Sequence, residues 1–369
     1  MESTRIIVKL GTSTITAGSA KISYPGLIDL ARQVSFLKQA GYEIVLISSG
    51  AIAAGREILA QKTLPRQIPA KQMLAAIGQS KLMGIYTQIF NMYDLMVGQV
   101  LLTKDDLLDR RRYLNARNTL NAMLAYNVIP IINENDTVAT EEIRFGDNDN
   151  LSALVANVLE ADLLILLTDQ DGLYSGDPRS DPDARMIDEV STEHIPDELW
   201  QAAGGSISGL GTGGMFTKLS AADLARKSGA TVFIANGRTP DILLEIVNNR
   251  AKGTKFHPSN STLESRKRYM LAGVQATTGI LYIDQGAEKA IKKGGSLLPV
   301  GISKVAGDFE RGDIVRVRSV KLKEIAIGIS NYSSADLHKI SGKNSSLIED
   351  IIGFSYGDEV IHHNNMMLV

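Results

Sequence analysis

At 369 residues, the chain exceeds what one ordinary hydrophobic core supports, so two or three domains are expected. Apolar residues make up 44% and charged residues 22%, which excludes disordered and collagen-like classes, and a net charge of −2 excludes an overall pull toward nucleic acid or anionic membrane. Cysteine is absent, which removes disulfides, thiolate metal sites and thiol nucleophiles; with no signal-peptide pattern and no apolar run of about 18 residues, a cytosolic location is expected.

In chain order, short apolar branched runs alternate with helical patterns. The first run, RIIVKLG, ends on Lys9 and a glycine turn with two hydroxyls, which places that ammonium on the ligand side of a strand; taken alone, a lysine there reads as a solvated strand end. A helical stretch, Ile28 to Ala40, follows with apolar residues three and four apart. YEIVLISSG is the second strand, and Ser48, Ser49 and Gly50 after it open a helix of small residues, whose N-H groups suit a carboxylate or phosphate or merely mark capping and close packing. LMVGQVLLT, a helix over Arg117 to Tyr126, and VIPIINEND come next, the last leaving Asn135 and Asp136 just beyond its apolar core.

In FGDNDNLSALVAN, three polar side chains, Asp147, Asn148 and Asp149, precede a helical face of Leu151, Leu154, Val155, Val158 and Leu159. Capping explains one of the three. Two clusters of acids and amides at neighbouring strand ends suit an amino-acid ligand, with acids toward an ammonium and amide donors toward a carboxylate; Asp136 and Asn148 are the leading contacts. A metal cage is the competing reading, although Mg²⁺ usually takes only one or two protein carboxylates besides phosphate oxygens.

ADLLILLTD ends on Thr168 and Asp169 and enters a turn-rich loop, DQDGLYSGDPR, which reads as nucleotide contact by its place on the ligand edge or as a surface loop by composition. SISGLGTGGMFTK combines four glycines with hydroxyls and places Lys218 on the first turn of a helix, against the dipole, where an anion gives it sense; the bland alternative is a flexible glycine loop. The Walker pattern fails, and Gly209, Gly211 and Gly214 match GxGxxG without the strand and acid that a dinucleotide site needs. TVFIANG closes the set of six strands. Such near-continuous apolar strands alternating with helices predict an α/β domain, a mostly parallel sheet sandwiched by helices. None of the five histidines stands in a metal pair or beside a nucleophilic serine, so triads and zinc sites have no support.

Near residue 257 the sequence turns polar and punctuated in FHPSNSTLESRKRYM, and beyond it GILYIDQ, DIVRVRS and EIAIGISNY read as strands of a small β-rich domain. The expected organisation is residues 1–257 as catalytic domain, 258–273 as linker and 274–369 as the β-rich domain, with HHNNMMLV as a loosely held tail. Between Lys289 and Lys323 nine basic residues face three acidic ones, but stacking aromatics are sparse there, so a solvated face is expected and RNA is not expected as partner.

Taken together and in this order, VKLGTS, SSGAIAAGR, NENDTVAT, GDNDNLSALVA, LLTDQDGLYSGDPR and SGLGTGGMFTK resemble the amino acid kinase family, followed by a PUA-like domain, over nearly the whole chain. SSGAIAAGR with that C-terminal domain is similar to the members acting on glutamate rather than on acetylglutamate, aspartate, carbamate or uridylate. The resemblance implies ATP-dependent phosphorylation of the γ-carboxylate of L-glutamate, the first step of proline synthesis, with ATP and Mg²⁺ as cofactors and no side chain assigned as metal ligand. It implies that Lys9 and Lys218 act on ATP phosphates and Asp149 orients them, that Ser49, Asp136 and Asn148 bind glutamate, that Thr168 and Asp169 belong to the nucleotide loop, and that Thr212, Gly213, Gly214, Met215, Phe216, Thr217 and Lys218 hold phosphate. It further implies feedback inhibition by proline, a homo-oligomer, hand-off of the acyl phosphate to glutamate-5-semialdehyde dehydrogenase, and no membrane. The competing readings are an RNA-binding or RNA-modifying protein, which leaves the first 257 residues idle, a nucleotide-linked oxidoreductase resting on GxGxxG alone, and a kinase of another carboxylate or carbamate.

Overall fold

The computed structural model describes residues 4–60, 67–139, 148–178, 181–204, 214–259 and 279–369. They divide into two compact units, one of residues 4–105 and 120–259, the other of Asp106–Thr119 with 279–369. The expected linker, 258–273, falls almost wholly outside the described residues.

The first unit is built on an eight-stranded sheet. In chain order its strands are β1 (Arg5–Leu10), β2 (Glu43–Ser48), β3 (Val97–Leu102), β4 (Ile129–Glu134) and β5 (Leu163–Thr168). After a two-stranded ribbon of β6 (Leu173–Tyr174) and β7 (Met186–Ile187) come β8 (Glu189–Val190), β9 (Thr231–Asn236) and β10 (Thr254–Phe256). The spatial order is β3-β4-β2-β1-β5-β9-β10-β8, and all six long strands pair in parallel; the short strands β10 and β8, parallel to each other, run opposite to them, β10 pairing antiparallel with β9. Parallel strands buried on both faces need side chains that pack on either side, which is why β1, β2, β4 and β5 read as unbroken apolar runs.

Helices cover both faces. Ile6, Val8 and Leu10 of β1 point into one core with the helices Tyr24–Gln39, Ile68–Asn91 and Ile242–Val247. The opposite face carries the helices Asn148–Leu159 and Gly214–Lys227, which pack on the sheet and on each other. Asn148–Leu159 is buried along almost its whole length, so its apolar stripe is only the sheet-facing part of a fully enclosed helix.

Two glycines decide how the helix Ala51–Leu59 lies against Ile68–Asn91. A Cβ on Gly78 would stand 1.8 Å from the Ala51 carbonyl oxygen, and one on Gly55 would stand 2.1 Å from the Leu74 carbonyl oxygen. The backbones therefore approach as closely as only glycine permits.

The second unit holds a five-stranded sheet of β11 (Gly279–Ile283), β12 (Ile302–Ala306), β13 (Ile314–Ser319), β14 (Glu324–Ile329) and β15 (Met366–Leu368), in the order β12-β11-β13-β14-β15. Leu281, Ile283, Val315, Val317 and Ile325 face a separate core closed by Leu337, Ile340 and Ile348. The expected loose tail is corrected here: Met366 to Leu368 pair antiparallel with Gly328 to Ala326, and Ile361, Asn365 and Met366 are buried. HHNN is the turn feeding that strand, and its polarity hides the short apolar strand behind it. Among the described residues no helix is long and apolar enough to cross a membrane.

Candidate active site

The register of the sheet aligns strand ends along one edge, with Leu10 opposite Ser48 and Thr168 opposite Asn236; ligands of open parallel sheets sit beyond that edge. Alternation along β1 sends Lys9 to the face opposite Val8 and Leu10, between Ile47 and Leu166, where it is buried. There Lys9 Nζ lies 2.5 Å from Asp149 Oδ1. From the neighbouring helix, Lys218 Nζ reaches Asp149 Oδ2 at 3.2 Å and donates to the Gly214 carbonyl at 3.0 Å, while Thr217 Oγ1 donates to Asp149 Oδ2 at 2.9 Å.

Asp149 is only 2% exposed, a position where a lone carboxylate is strongly disfavoured. Burial pushes its pKa up, but the Lys9 and Lys218 ammoniums, helped by the Thr217 hydroxyl, outweigh burial and hold it at about 2, below its ordinary 3.8. The cluster thus stays ionised at neutral pH and carries two positive charges and one negative. With net charge +1 and N-H groups still unspent, it is a trap for an anion rather than a closed ion pair.

Two cavities flank this cluster. The first, of about 260 Å³, is lined by Ser49, Asp136 and Asn148 from the expected set, together with Asn133, Glu134 and Arg56. Gly50, in the left-handed region at φ 102°, turns the chain from β2 into the helix Ala51–Leu59, whose first N-H groups, on Ala51, Ile52 and Ala53, precede any intrahelical acceptor; these residues also line the cavity. Its lining therefore combines carboxylates with helix-start donors and a guanidinium, the groups that an amino acid with a free carboxylate requires.

Asn148 reverses one expectation. Its Nδ2 donates to Asn133 Oδ1 at 2.9 Å, to Ser49 Oγ at 3.0 Å and to the Ser48 carbonyl at 3.3 Å, so the amide donor expected to meet a ligand carboxylate is spent on the protein. Ser48 Oγ in turn bonds the buried Tyr86 hydroxyl at 2.9 Å.

The second cavity, of about 340 Å³, is lined by Thr168, Asp169, Gly214, Met215 and Lys218 from the expected set and by Tyr174 and Pro178 among others. Thr168 Oγ1 donates to Asp169 Oδ1 at 3.1 Å, and the following loop is pinned where Asn236 and Lys252 bond Asp171 at 3.0 and 2.7 Å. Phe216 stands apart from the rest: its ring packs edge-on against Trp200 at 5.5 Å, and it does not line the cavity. Thr212 and Gly213, like Asp147, lie outside the described residues.

Sequence reasoning passed over Arg56, Asn133 and Glu134. Arg56 sits inside the SSGAIAAGR run, one helical turn beyond the helix start, and that spacing was the available signal. Asn133 and Glu134 close β4 itself, two polar residues ending an apolar strand at the ligand edge.

A model of the amino acid kinase family matches residues 4–236, and a model of the PUA domain matches residues 279–352. A relative named glutamate 5-kinase from Shewanella sediminis is 53% identical over 366 residues, covering 99% of this chain and 98% of that protein. One of the same name from Vibrio campbellii is 51% identical over 365 residues, covering 99% and 96%. Among solved structures, carbamate kinase from Giardia lamblia bound to AMP-PNP superposes with a TM-score of 0.51 at 18% identity, covering 69% of this chain and 99% of that one, a likeness of fold. The chain belongs to the amino acid kinase family.

Proposed function

We propose that the chain transfers the γ-phosphoryl group of ATP to the side-chain carboxylate of L-glutamate, giving L-glutamyl 5-phosphate and ADP, the first step of proline biosynthesis. The observation that carries the reading is the convergence of Lys9 and Lys218 on Asp149 beside the two cavities, one fitted to an amino acid and one to a nucleotide.

A carboxylate acceptor is ionised at neutral pH, so no general base is needed. What remains is to bring two anions into line and to offset the charge that develops on the transferring phosphoryl group. Lys9, whose only partner among the described residues is Asp149, keeps two N-H groups for phosphate oxygens. Lys218 keeps one, after Asp149 and the Gly214 carbonyl. Asp149 fixes both ammoniums before substrate arrives, which removes their reorganisation from the barrier. In the first cavity, Asp136 meets the α-ammonium and the helix-start N-H groups with Arg56 meet a carboxylate; Thr168, Asp169, Gly214, Met215 and Lys218 hold the nucleotide.

Mg²⁺ fits this site as a passenger on ATP. Among the described residues no three acidic or histidine side chains converge to cage a metal, and Asp149 is engaged by both lysines, so phosphate oxygens supply most of its ligands. When bound, the ion offsets phosphate charge and sets the polyphosphate geometry.

Inhibition by proline, a homo-oligomer, delivery of the acyl phosphate to glutamate-5-semialdehyde dehydrogenase, a cytosolic setting and the division at residues 257 and 274 belong to the same proposal, supported by the resemblance. The test is hydroxylamine trapping: the chain with ATP and Mg²⁺ yields a hydroxamate with L-glutamate, and a hydroxamate formed instead with acetylglutamate or aspartate overturns the substrate assignment.

A further inference from the structure

A chain of three amides stands behind the first cavity, and its polarity is fixed from one end. The Glu134 backbone N-H donates to Asn133 Oδ1 at 2.9 Å. A backbone N-H can only donate, so the atom it meets is the oxygen, whichever way amide side chains are otherwise drawn. Asn133 Nδ2 must then face away, and it donates to Gln79 Oε1 at 2.8 Å. The same Asn133 oxygen accepts from Asn148 Nδ2 at 2.9 Å, so Asn148 must turn its own oxygen outward. Asn148 lines the cavity, and its Oδ1 has no hydrogen-bond partner among the described residues.

Gln79 is the far anchor. It lies on the helix Ile68–Asn91, is buried, and leaves its own Nε2 without a partner among the described residues. A buried amide that forgoes one bond to present its oxygen to Asn133 is placed for that acceptor. Its position is set by Gly78, whose backbone touches Ala51 of the cavity-lining helix.

We infer that Gln79 is a positioning residue which, through Asn133, holds the Asn148 oxygen toward the substrate's α-ammonium, so that the cavity reads a free amino group by acceptors alone. The inference rests on the first cavity being the glutamate site. Beside Asp136, a fixed amide oxygen accepts from an ammonium and repels a second carboxylate. It accounts for selection of an amino acid over the dicarboxylate that lacks the amino group, because glutarate gives Asn148 Oδ1 nothing to accept.

The experiment is steady-state kinetics on the full-length chain with Gln79→Leu, Gln79→Glu and Asn148→Ala, reading KM for L-glutamate, KM for ATP, kcat and the inhibition constant of glutarate. Gln79→Leu, which orphans Asn133 Nδ2 and leaves the chain of amides without its far anchor, raises the glutamate KM about tenfold and leaves kcat, the ATP KM and glutarate inhibition within about threefold. Gln79→Glu keeps an oxygen facing Asn133, and burial favours its neutral form, so the glutamate KM returns to within about threefold of wild type. Asn148→Ala raises the glutamate KM at least as much as Gln79→Leu. If Asn148→Ala raises that KM and Gln79→Leu does not, the relay is wrong while the cavity assignment stands. If Gln79→Leu weakens glutamate and glutarate equally and Gln79→Glu does not rescue, Gln79 acts through packing and the inference falls. If Asn148→Ala leaves the glutamate KM unchanged, the cavity is not the glutamate site and both readings fall.

Discussion

Replacing Lys218 with alanine isolates the charge that acts on phosphate from the charge that holds the fold. Lys9 is a poor choice for that purpose: its side chain is 5% exposed at the centre of the sheet, and removing one partner of so buried a pair costs about 3–5 kcal/mol of stability. Lys218 sits at the start of its helix, and without it Asp149 still keeps Lys9 at 2.5 Å, so the folding cost is about 1–2 kcal/mol. Turnover should suffer more. The cluster's net charge falls from +1 to zero, and the one Lys218 N-H not spent on Asp149 or Gly214 is lost where charge develops in the transition state. Removal of one such preorganised donor typically lowers kcat about 100- to 1000-fold, or about 2.7–4 kcal/mol. Lys218 does not line the glutamate cavity, so the glutamate KM should move less than about threefold. ADP release measured against glutamate and ATP concentration, with a melting curve to confirm folding, decides it: a kcat within about threefold of wild type refutes the role.

Three other outcomes follow from the geometry. Gly78→Ala forces a methyl group to within 1.8 Å of the Ala51 carbonyl and should cost about 3 kcal/mol or more, whereas Gly84→Ala on the same helix meets nothing within 4 Å and should gain up to about 1 kcal/mol; equal melting temperatures for the two variants would contradict the close-packing argument. Asp149 is held below its ordinary 3.8, at about 2, so its ionised form contributes stability in full above the unfolded value, and that contribution drains away as pH falls through the native value. Urea unfolding of wild type and Asp149→Asn should therefore show a stability gap that is flat above about pH 5 and shrinks toward about pH 2; a gap that grows with acid contradicts the sign. Because the acceptor arrives ionised, kcat with saturating substrates should show no ionisation of a general base between about pH 6 and 8, and a bell-shaped profile centred there would contradict a transfer that proceeds without one.

How far these features were legible in the sequence depended on whether one residue or a pair carried the information. The six long strands stood out because burial on both faces leaves an unbroken apolar run, as in Leu163–Thr168. Two-residue β8 and three-residue β10 are too short to show any period, and β15 was masked by the polar turn before it. Lys9, Asp149 and Lys218 each announced themselves by an odd place at a strand or helix end. Their meeting did not, since it depends on the crossing of two helices on one face of the sheet. Gly55 and Gly78 read as weak points in helices when each is taken alone, and only their opposition shows why they are glycine. Gln79 gave no signal, because a single polar residue in a long helix is ordinary until the fold brings Asn133, 54 positions away, against it. The donor role expected of Asn148 failed for the same reason: its sequence neighbours do not reveal that Ser48, Ser49 and Asn133 take its N-H groups.

The claim on which the rest depends is that a side-chain carboxylate oxygen attacks the γ-phosphorus of ATP between Lys9 and Lys218. L-Glutamate labelled with ¹⁸O in its side-chain carboxylate, turned over with ATP, Mg²⁺ and hydroxylamine, tests it directly. Hydroxylamine attacks the acyl carbon, so the bridging oxygen leaves with phosphorus, and the released phosphate should carry one ¹⁸O for each hydroxamate formed. Unlabelled phosphate, with its oxygen drawn from solvent, would show that water and not the amino acid is the acceptor.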